Sequence, residues 1–327
     1  MSKKTIVLAL KFSVSGALIW FLFTRIDLAA AIVRVQEARI GYLALALAVF
    51  LLQILICAFR WRSVLLAIRS EMEFKTVFRL FYIGAFFSQT LPSSVGGDAV
   101  RMYKVYRCGQ TLRQAVNGVM LERAATVIAL VLVVIAVQPF FLPRVDAATA
   151  NLMETGVVIV GVVMAAGLGL LLVLDRVLGF LPHAVSGWRL ARGLAALASD
   201  ARLVFLVPGR AVRVLGWSAA GHVNLTFGVF LIALALGLNI TFVDSLALVP
   251  PVLLVMTAPV SIAGWGVREG AMVAMFGLIG VPAEGALAMS ILFGLSAVLS
   301  SLPGGVLWLA GSDRAVDIIP GFDDKGL

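Results

Sequence analysis

The stretch Leu91-Pro92-Ser93-Ser94-Val95-Gly96-Gly97-Asp98-Ala99-Val100-Arg101 interrupts one apolar run, and Pro259-Val260-Ser261-Ile262-Ala263-Gly264-Trp265-Gly266-Val267-Arg268-Glu269-Gly270 interrupts another. Proline followed by glycines ends a helix, because proline lacks the N–H that continues the ladder and glycine tolerates conformations that other residues do not. In water such a break is an ordinary turn. In a bilayer the freed backbone groups cannot face lipid, so the break must lie where protein or a water-filled cavity surrounds it. Which of these applies depends on what flanks the two stretches.

The flanks are membrane segments. Hydrophobic residues occupy 61% of 327 positions and charged residues 13%. That balance would leave a water-soluble domain with large exposed apolar patches. Apolar runs of about 18 or more residues recur, each long enough to cross a hydrocarbon core of roughly 30 Å as a helix. They do not alternate with period two, which excludes a barrel. Full spans are expected near 6–23, 41–59, 112–138, 155–174, 214–236 and 286–310. The shorter runs 76–91 and 245–259 lead into the two breaks, each followed by a further short helix, 99–107 and 269–280. The expected fold is thus all-α and integral to the membrane, with about six full spans and two re-entrant or broken helical hairpins. Ala29-Ala30-Ala31 has the look of a signal-peptidase site, but Arg25 and Asp27 separate it from a run long enough to span, so a first membrane helix is expected instead.

Lys and Arg collect between the runs: Lys3, Lys4 and Lys11; Arg60, Arg62, Arg69, Lys75 and Arg79; Arg101, Lys104, Arg107 and Arg113; and six arginines between 175 and 213. The net charge of +9 is therefore a topology signal and not a nucleic-acid footprint. The bias places these clusters, and both chain ends, in the cytoplasm. The first hairpin then enters from the cytoplasm and the second from outside, each after two spans and before one. The chain reads as one transmembrane domain over 1–312, built from inverted halves of about 1–140 and 150–312, with a short cytoplasmic tail at 313–327. The linker 175–213 carries Leu190, Leu194, Leu197, Ala201 and Val204 on one helical face, a basic amphipathic helix suited to the inner leaflet or to packing on the bundle. A shorter element of the same kind is expected over 27–39.

Asp98, Arg101, Glu122, Arg123, Arg268 and Glu269 lie in or beside apolar segments. An ionised side chain at the bilayer centre costs about 2.5–3.5 kcal/mol, so such residues face the bundle interior and find partners. Glu122 and Arg123 are adjacent and cannot satisfy each other on a helix. Arg101 or Arg268 is the expected partner of Glu122, and Asp98 or Glu269 that of Arg123. Together with Ser94, Gly96, Gly97, Ser261, Gly264 and Gly266 at the breaks, these residues form the candidate substrate-binding set around a shared polar chamber near mid-membrane. Arginine forks match phosphate oxygens, backbone N–H groups at the breaks add to an anion site, and the carboxylates suit a cationic headgroup. The alternative is a closed ion-pair network that only locks a scaffold or regulatory protein together.

Other chemistries find no support. Cys57 and Cys108 form no CxxC or Cys/His cluster, His183 and His222 are isolated, and Gly264-x-Gly266 with Gly270 is not a dinucleotide fingerprint. Ser94 has no histidine near it in sequence, and the Phe81, Phe86 and Phe87 group suits packing. No enzymatic activity, cofactor or metal is expected.

The two breaks, together with Leu121-Glu122-Arg123 and Gly280-Val281, resemble the flippase-like membrane domain of lysylphosphatidylglycerol synthetase, the multiple peptide resistance factor, and its stand-alone relatives. Four features in the same order and at the same separations carry the resemblance over nearly the whole chain. It implies a bacterial or archaeal inner-membrane protein that moves a lipid between leaflets, with the Asp98/Arg101, Glu122/Arg123 and Arg268/Glu269 positions as its polar cavity. The implied partners are membrane lipids: an anionic or aminoacylated phospholipid, or a lipid-linked phosphate. A homo-oligomer and a separate lipid-modifying enzyme are compatible with it. The chain stops about fifteen residues past its last expected span, so the aminoacyltransferase domain of the longer relatives is not expected in this polypeptide.

Overall fold

A computed structural model of the chain describes Ile26 and residues 28–91, 96–180, 188–257 and 266–311. The expected first span at 6–23, the tips of both breaks, including Ser94, Ser261 and Gly264, and the tail 313–327 lie outside the described residues. The described part is built of helices and contains no strand. In order it comprises α1 (Leu28–Gln36), α2 (Ile40–Ala67), α3 (Phe74–Thr90), α4 (Gly96–Arg107), α5 (Leu112–Phe141), a short 3-10 turn, α6 (Ala147–Gly179), α7 (Arg189–Phe205), α8 (Pro208–Ala235), α9 (Phe242–Met256), α10 (Val267–Gly277) and α11 (Ala283–Leu309). Five of these helices, α2, α5, α6, α8 and α11, are long and apolar enough to cross a membrane. Local chemistry starts several of them: Thr111 with Gln114 and Thr241 with Asp244 form reciprocal caps at α5 and α9.

The hairpin helices are too short to span. With a rise of about 1.5 Å per residue, α4 is about 18 Å long and α10 about 16 Å, against a hydrocarbon core of about 30 Å. The spans, by contrast, run longer than expected. Helix α2 continues past residue 59 to Ala67 because nothing from Arg60 to Leu66 breaks it, and its charges find partners inside the bundle.

The two halves repeat one order of elements, α2–α3–α4–α5 and α8–α9–α10–α11, with α1 preceding α2 and α7 preceding α8. Packing follows the same exchange: α3 packs on α11 as α9 packs on α5, α2 on α5 as α8 on α11, and α2 and α8 share the most extensive interface. Along that interface Gly221 approaches Arg60, Asn224 donates to the Val49 carbonyl and to Gln53, and Gly228 meets Phe50. Numbers rise on one helix as they fall on the other, so these counterparts run antiparallel. Counterparts that oppose each other are the mark of an inverted repeat.

Between apolar helices in lipid, small residues and interhelical hydrogen bonds provide the adhesion that water exclusion provides elsewhere. Ser300, Ser301, Gly304 and Gly305 make the α11 surface that receives α3. A Cβ at Gly304 would collide with the Tyr82 carbonyl, and the Tyr82 hydroxyl donates to the Ser300 carbonyl at 2.9 Å. Helix α6 is the opposite case: it is an apolar helix of 33 residues on which only Thr149 and Met153 are buried. Apart from a partly buried stripe through Val157, Val160, Met164, Leu171 and Leu172, its surface is left for lipid.

The linker helix α7 docks on the bundle. Ala198, Ala201 and Val204 are buried, whereas Leu190, expected on the same face, is largely exposed. Asp200 is buried and accepts from Arg113 Nε and Nη2 at 3.1 and 2.7 Å and from Asn117 Nδ2 at 2.6 Å, fastening α7 to the start of α5. Arg202 forms a second clasp to Asp175 of α6 at 2.6 Å.

Candidate functional site

The polar residues gather where the hairpins meet the long helices. In the first half, α4 reaches α3 through two glycines: a Cβ at Gly97 would collide with Ser88 Oγ and the Gly84 carbonyl, and one at Gly84 with the Arg101 side chain. Gly96 is pressed against Leu91. Gly96 and Gly97 bring α4 against α3 and set Asp98 and Arg101 facing α5.

Asp98, Arg101 and Glu122 are almost completely buried, each less than 5% exposed. Glu122 accepts from Arg60 Nε at 2.9 Å, and from Arg60 Nη2, on one oxygen, and from Arg101 Nη2 at 2.9 Å on the other. Arg101 Nη2 also donates to Asp98 Oδ1 at 2.6 Å, and the second Asp98 oxygen accepts from Arg123 Nε at 2.9 Å. The Arg101 guanidinium lies 4.9 Å from both the Trp61 and the Phe81 ring centres, while its Nη1 is buried without an acceptor among the described residues. Arg123 is the open edge of the cluster, its side chain 50% exposed. The expected pairings of Glu122 with Arg101 and of Arg123 with Asp98 are those the fold makes.

Arg60 is the residue that sequence reasoning missed. In sequence it reads as one of the loop charges, but it is a buried α2 residue bonded to Glu122 across 62 positions. The available signal was the unbroken helical run from Cys57 to Ala67, with no glycine or proline to end the span before the charge.

In the second half, Gly266 begins α10 at φ +85°, and its N–H donates to Glu269 Oε2 at 2.6 Å. That left-handed conformation favours glycine. Arg268 donates through Nε to Glu269 Oε1 at 3.0 Å and to Ser290 Oγ of α11 at 3.1 Å, and Ser290 in turn donates to Glu269 at 3.2 Å. Sequence neighbours Arg268 and Glu269 therefore do pair, because they sit in the first turn of α10, where the carboxylate folds back over the helix start. A Cβ at Gly294 would fall within 2.6 Å of the Arg268 guanidinium carbon, so the absent side chain is what admits the arginine.

The two clusters are counterparts. Pro92-x-Ser94-x-x-Gly97-x-x-Val100-Arg101 recurs as Pro259-x-Ser261-x-x-Gly264-x-x-Val267-Arg268, an internal repeat visible once the halves are aligned. Arg101 finds Glu122 21 residues on, and Arg268 finds Ser290 22 residues on, on the equivalent helix. The six ionised groups expected around one chamber form two bonded groups among the described residues, Asp98, Arg101, Glu122 and Arg123 in the first and Arg268 and Glu269 in the second. Among the described residues no hydrogen bond or ion pair links the first cluster to the second: α4 packs on α3 and α5, and α10 on α9 and α11.

Two cavities stand out, and neither is lined by those six charges. One, of about 240 Å³, opens at the ends of α3, α4 and α11 beside Lys75, Arg79 and Lys104. The other, of about 380 Å³, lies between α5, α6, α9 and α10 and has only apolar lining, including Val131, Val157, Pro251 and Met275. No group of His, Cys, Asp and Glu side chains suited to a metal occurs among the described residues.

A multi-pass bundle of membrane helices with two broken hairpins and a buried arginine cluster at each defines an all-α membrane domain of the inverted-repeat kind. The chain matches the Lysylphosphatidylglycerol synthase TM region over residues 8–304, and it belongs to that family, as the resemblance at the breaks implied. The family relates it to lipid handling. No curated protein matches the chain.

Proposed function

We propose that this protein moves a phospholipid or lipid-linked phosphate between membrane leaflets, binding the headgroup at the hairpin clusters while the acyl chains remain in lipid. The observation that carries the reading is the charge of the first cluster. Arg60, Arg101 and Arg123 face Asp98 and Glu122, three cations against two anions, which leaves one positive charge between the helices with Arg123 at the exposed edge. An unbalanced buried charge is costly, and an anionic phosphate compensates it. Two separate clusters in inverted halves suit alternating access, each half presenting its arginine in one conformation. The apolar groove beside α6 gives an acyl chain a place alongside the bundle.

The same reading places the protein in a bacterial or archaeal cytoplasmic membrane with both termini and α7 on the inner side, as a transporter and not an enzyme. Its substrate is an anionic or aminoacylated phospholipid, and a separate lipid-modifying enzyme would supply any aminoacyl headgroup. A scaffold reading is favoured by one feature: both oxygens of Asp98 and of Glu122 are already taken by arginines. Vesicles holding fluorescent phosphatidylglycerol, with the outer leaflet bleached chemically, separate the two. Arg123→Gln should slow inward-to-outward exchange at least tenfold with thermal stability retained. Unchanged exchange in Arg123→Gln and in Arg268→Gln, both folded, would leave the scaffold.

A further inference from the structure

We propose that the pocket between α3, α4 and α11 is a second anion site, taking a phosphate group at the membrane surface, apart from the buried arginine clusters. Its lining sets Lys75 and Arg79, one turn apart on α3, beside Thr76, and no carboxylate is among the described lining residues. Trp308 lines it as well, and its indole N–H has no acceptor among the described residues. Leu80 and Ile83 extend the lining into apolar surface.

Cations and a hydroxyl over an apolar floor match a phosphate carried on a hydrophobic body. A free phosphate shares the anionic part of that chemistry. Lys75 and Arg79 are exposed, so their charge is available at the pocket mouth, and cations at this level of a membrane protein attract anionic headgroups. The inference deepens the lipid reading, but it concerns equilibrium binding: a protein that holds phosphate without moving lipid would separate the two.

The test uses the purified full chain. Native mass spectrometry with phosphatidylglycerol, and with diacylglycerol of the same acyl chains, measures retention of lipid with and without phosphate. Thermal unfolding with added inorganic phosphate forms the second arm. Lys75→Gln/Arg79→Gln should weaken phosphatidylglycerol retention at least about tenfold, the loss of two charge-assisted contacts. Lys75→Arg/Arg79→Lys should retain it, and Arg176→Gln/Arg192→Gln, an equal charge loss at other exposed positions, should not change it. Protection of the wild type by inorganic phosphate, lost in the Gln pair, would equally support the site and identify free phosphate as its occupant. Equal retention of diacylglycerol and phosphatidylglycerol with no phosphate response, or wild-type behaviour in a folded Gln pair, overturns the proposal.

Discussion

Arg60 of α2 and Glu122 of α5 are joined by a two-pronged ion pair, Nε to Oε1 at 2.9 Å with Nη2 on the same oxygen, in the interior of the helical bundle. The pair ties the first long helix to the helix after the first hairpin, and through Glu122 it reaches Arg101 of the hairpin itself. Three elements distant in sequence are thus held by one carboxylate.

Removing that carboxylate should cost more than removing either arginine. Glu122→Gln leaves Arg60 and Arg101 buried without their shared anion, a loss of about 3–5 kcal/mol, whereas Arg60→Gln leaves Glu122 still bound by Arg101. A double-mutant cycle on thermal or denaturant unfolding should give a coupling of about 1–3 kcal/mol between positions 60 and 122. Additive losses would mean that the two side chains act independently.

Glycines at the helix crossings should differ according to what they face. Gly304→Ala places a methyl group against the Tyr82 backbone carbonyl, and Gly97→Ala against that of Gly84. Each should destabilise by about 1–3 kcal/mol, because backbone cannot swing aside. Gly294→Ala meets the end of the Arg268 side chain, which can move. Its expected signature is a displaced Arg268 and altered lipid exchange at near-normal stability, read by pairing transport with unfolding. Equal stability losses at all three positions would refute the distinction.

Asp200 should hold the linker helix to the bundle. In Asp200→Ala, Asn117 loses its buried partner and Arg113 its carboxylate, a cost of about 1–3 kcal/mol. Limited proteolysis should then cut within α7 faster than in the wild type while α2 and α5 stay protected. An unchanged cleavage rate would show that the apolar contacts of Ala198, Ala201 and Val204 suffice.

The start of α6 should respond to pH. Asp146 accepts from the Thr149 hydroxyl and from the N–H groups of Thr149 and Ala148, and these bonds hold its carboxyl below the usual carboxylate range. Because the folded value is the lower one, the cap is fully present above the ordinary carboxylate range and is lost as pH falls through the depressed value. Amide exchange at Ala148 and Thr149 should accelerate only in that acidic window, and Asp146→Asn should remove the pH dependence. Acceleration beginning at neutral pH would point to another group.

Much of the architecture was legible in the chain. Apolar runs long enough to cross a bilayer, two Pro-Gly breaks and the spacing of Lys and Arg are local properties, and they led to the long helices, the short hairpin helices and the inverted order of the halves. Because lipid requires each segment to satisfy its own backbone, the presence of each span follows from local composition, while its ends run past the apolar run wherever nothing breaks the helix. The hairpin charges were equally conspicuous, since charge is rare in apolar sequence.

What the chain alone left undecided was which charge meets which. Arg60 has the look of a loop residue until α2 is seen to continue past it, and Ser290 carries no signal in sequence. Gly97 reads as part of a helix break, and Gly294 and Gly304 carry no signal in sequence, yet each sits where a side chain or backbone packs against it. Partner choice depends on the crossing of helices tens of residues apart, a long-range quantity that no local window contains. So it was the tertiary packing that divided six expected neighbours into two clusters, leaving the first with an arginine in excess.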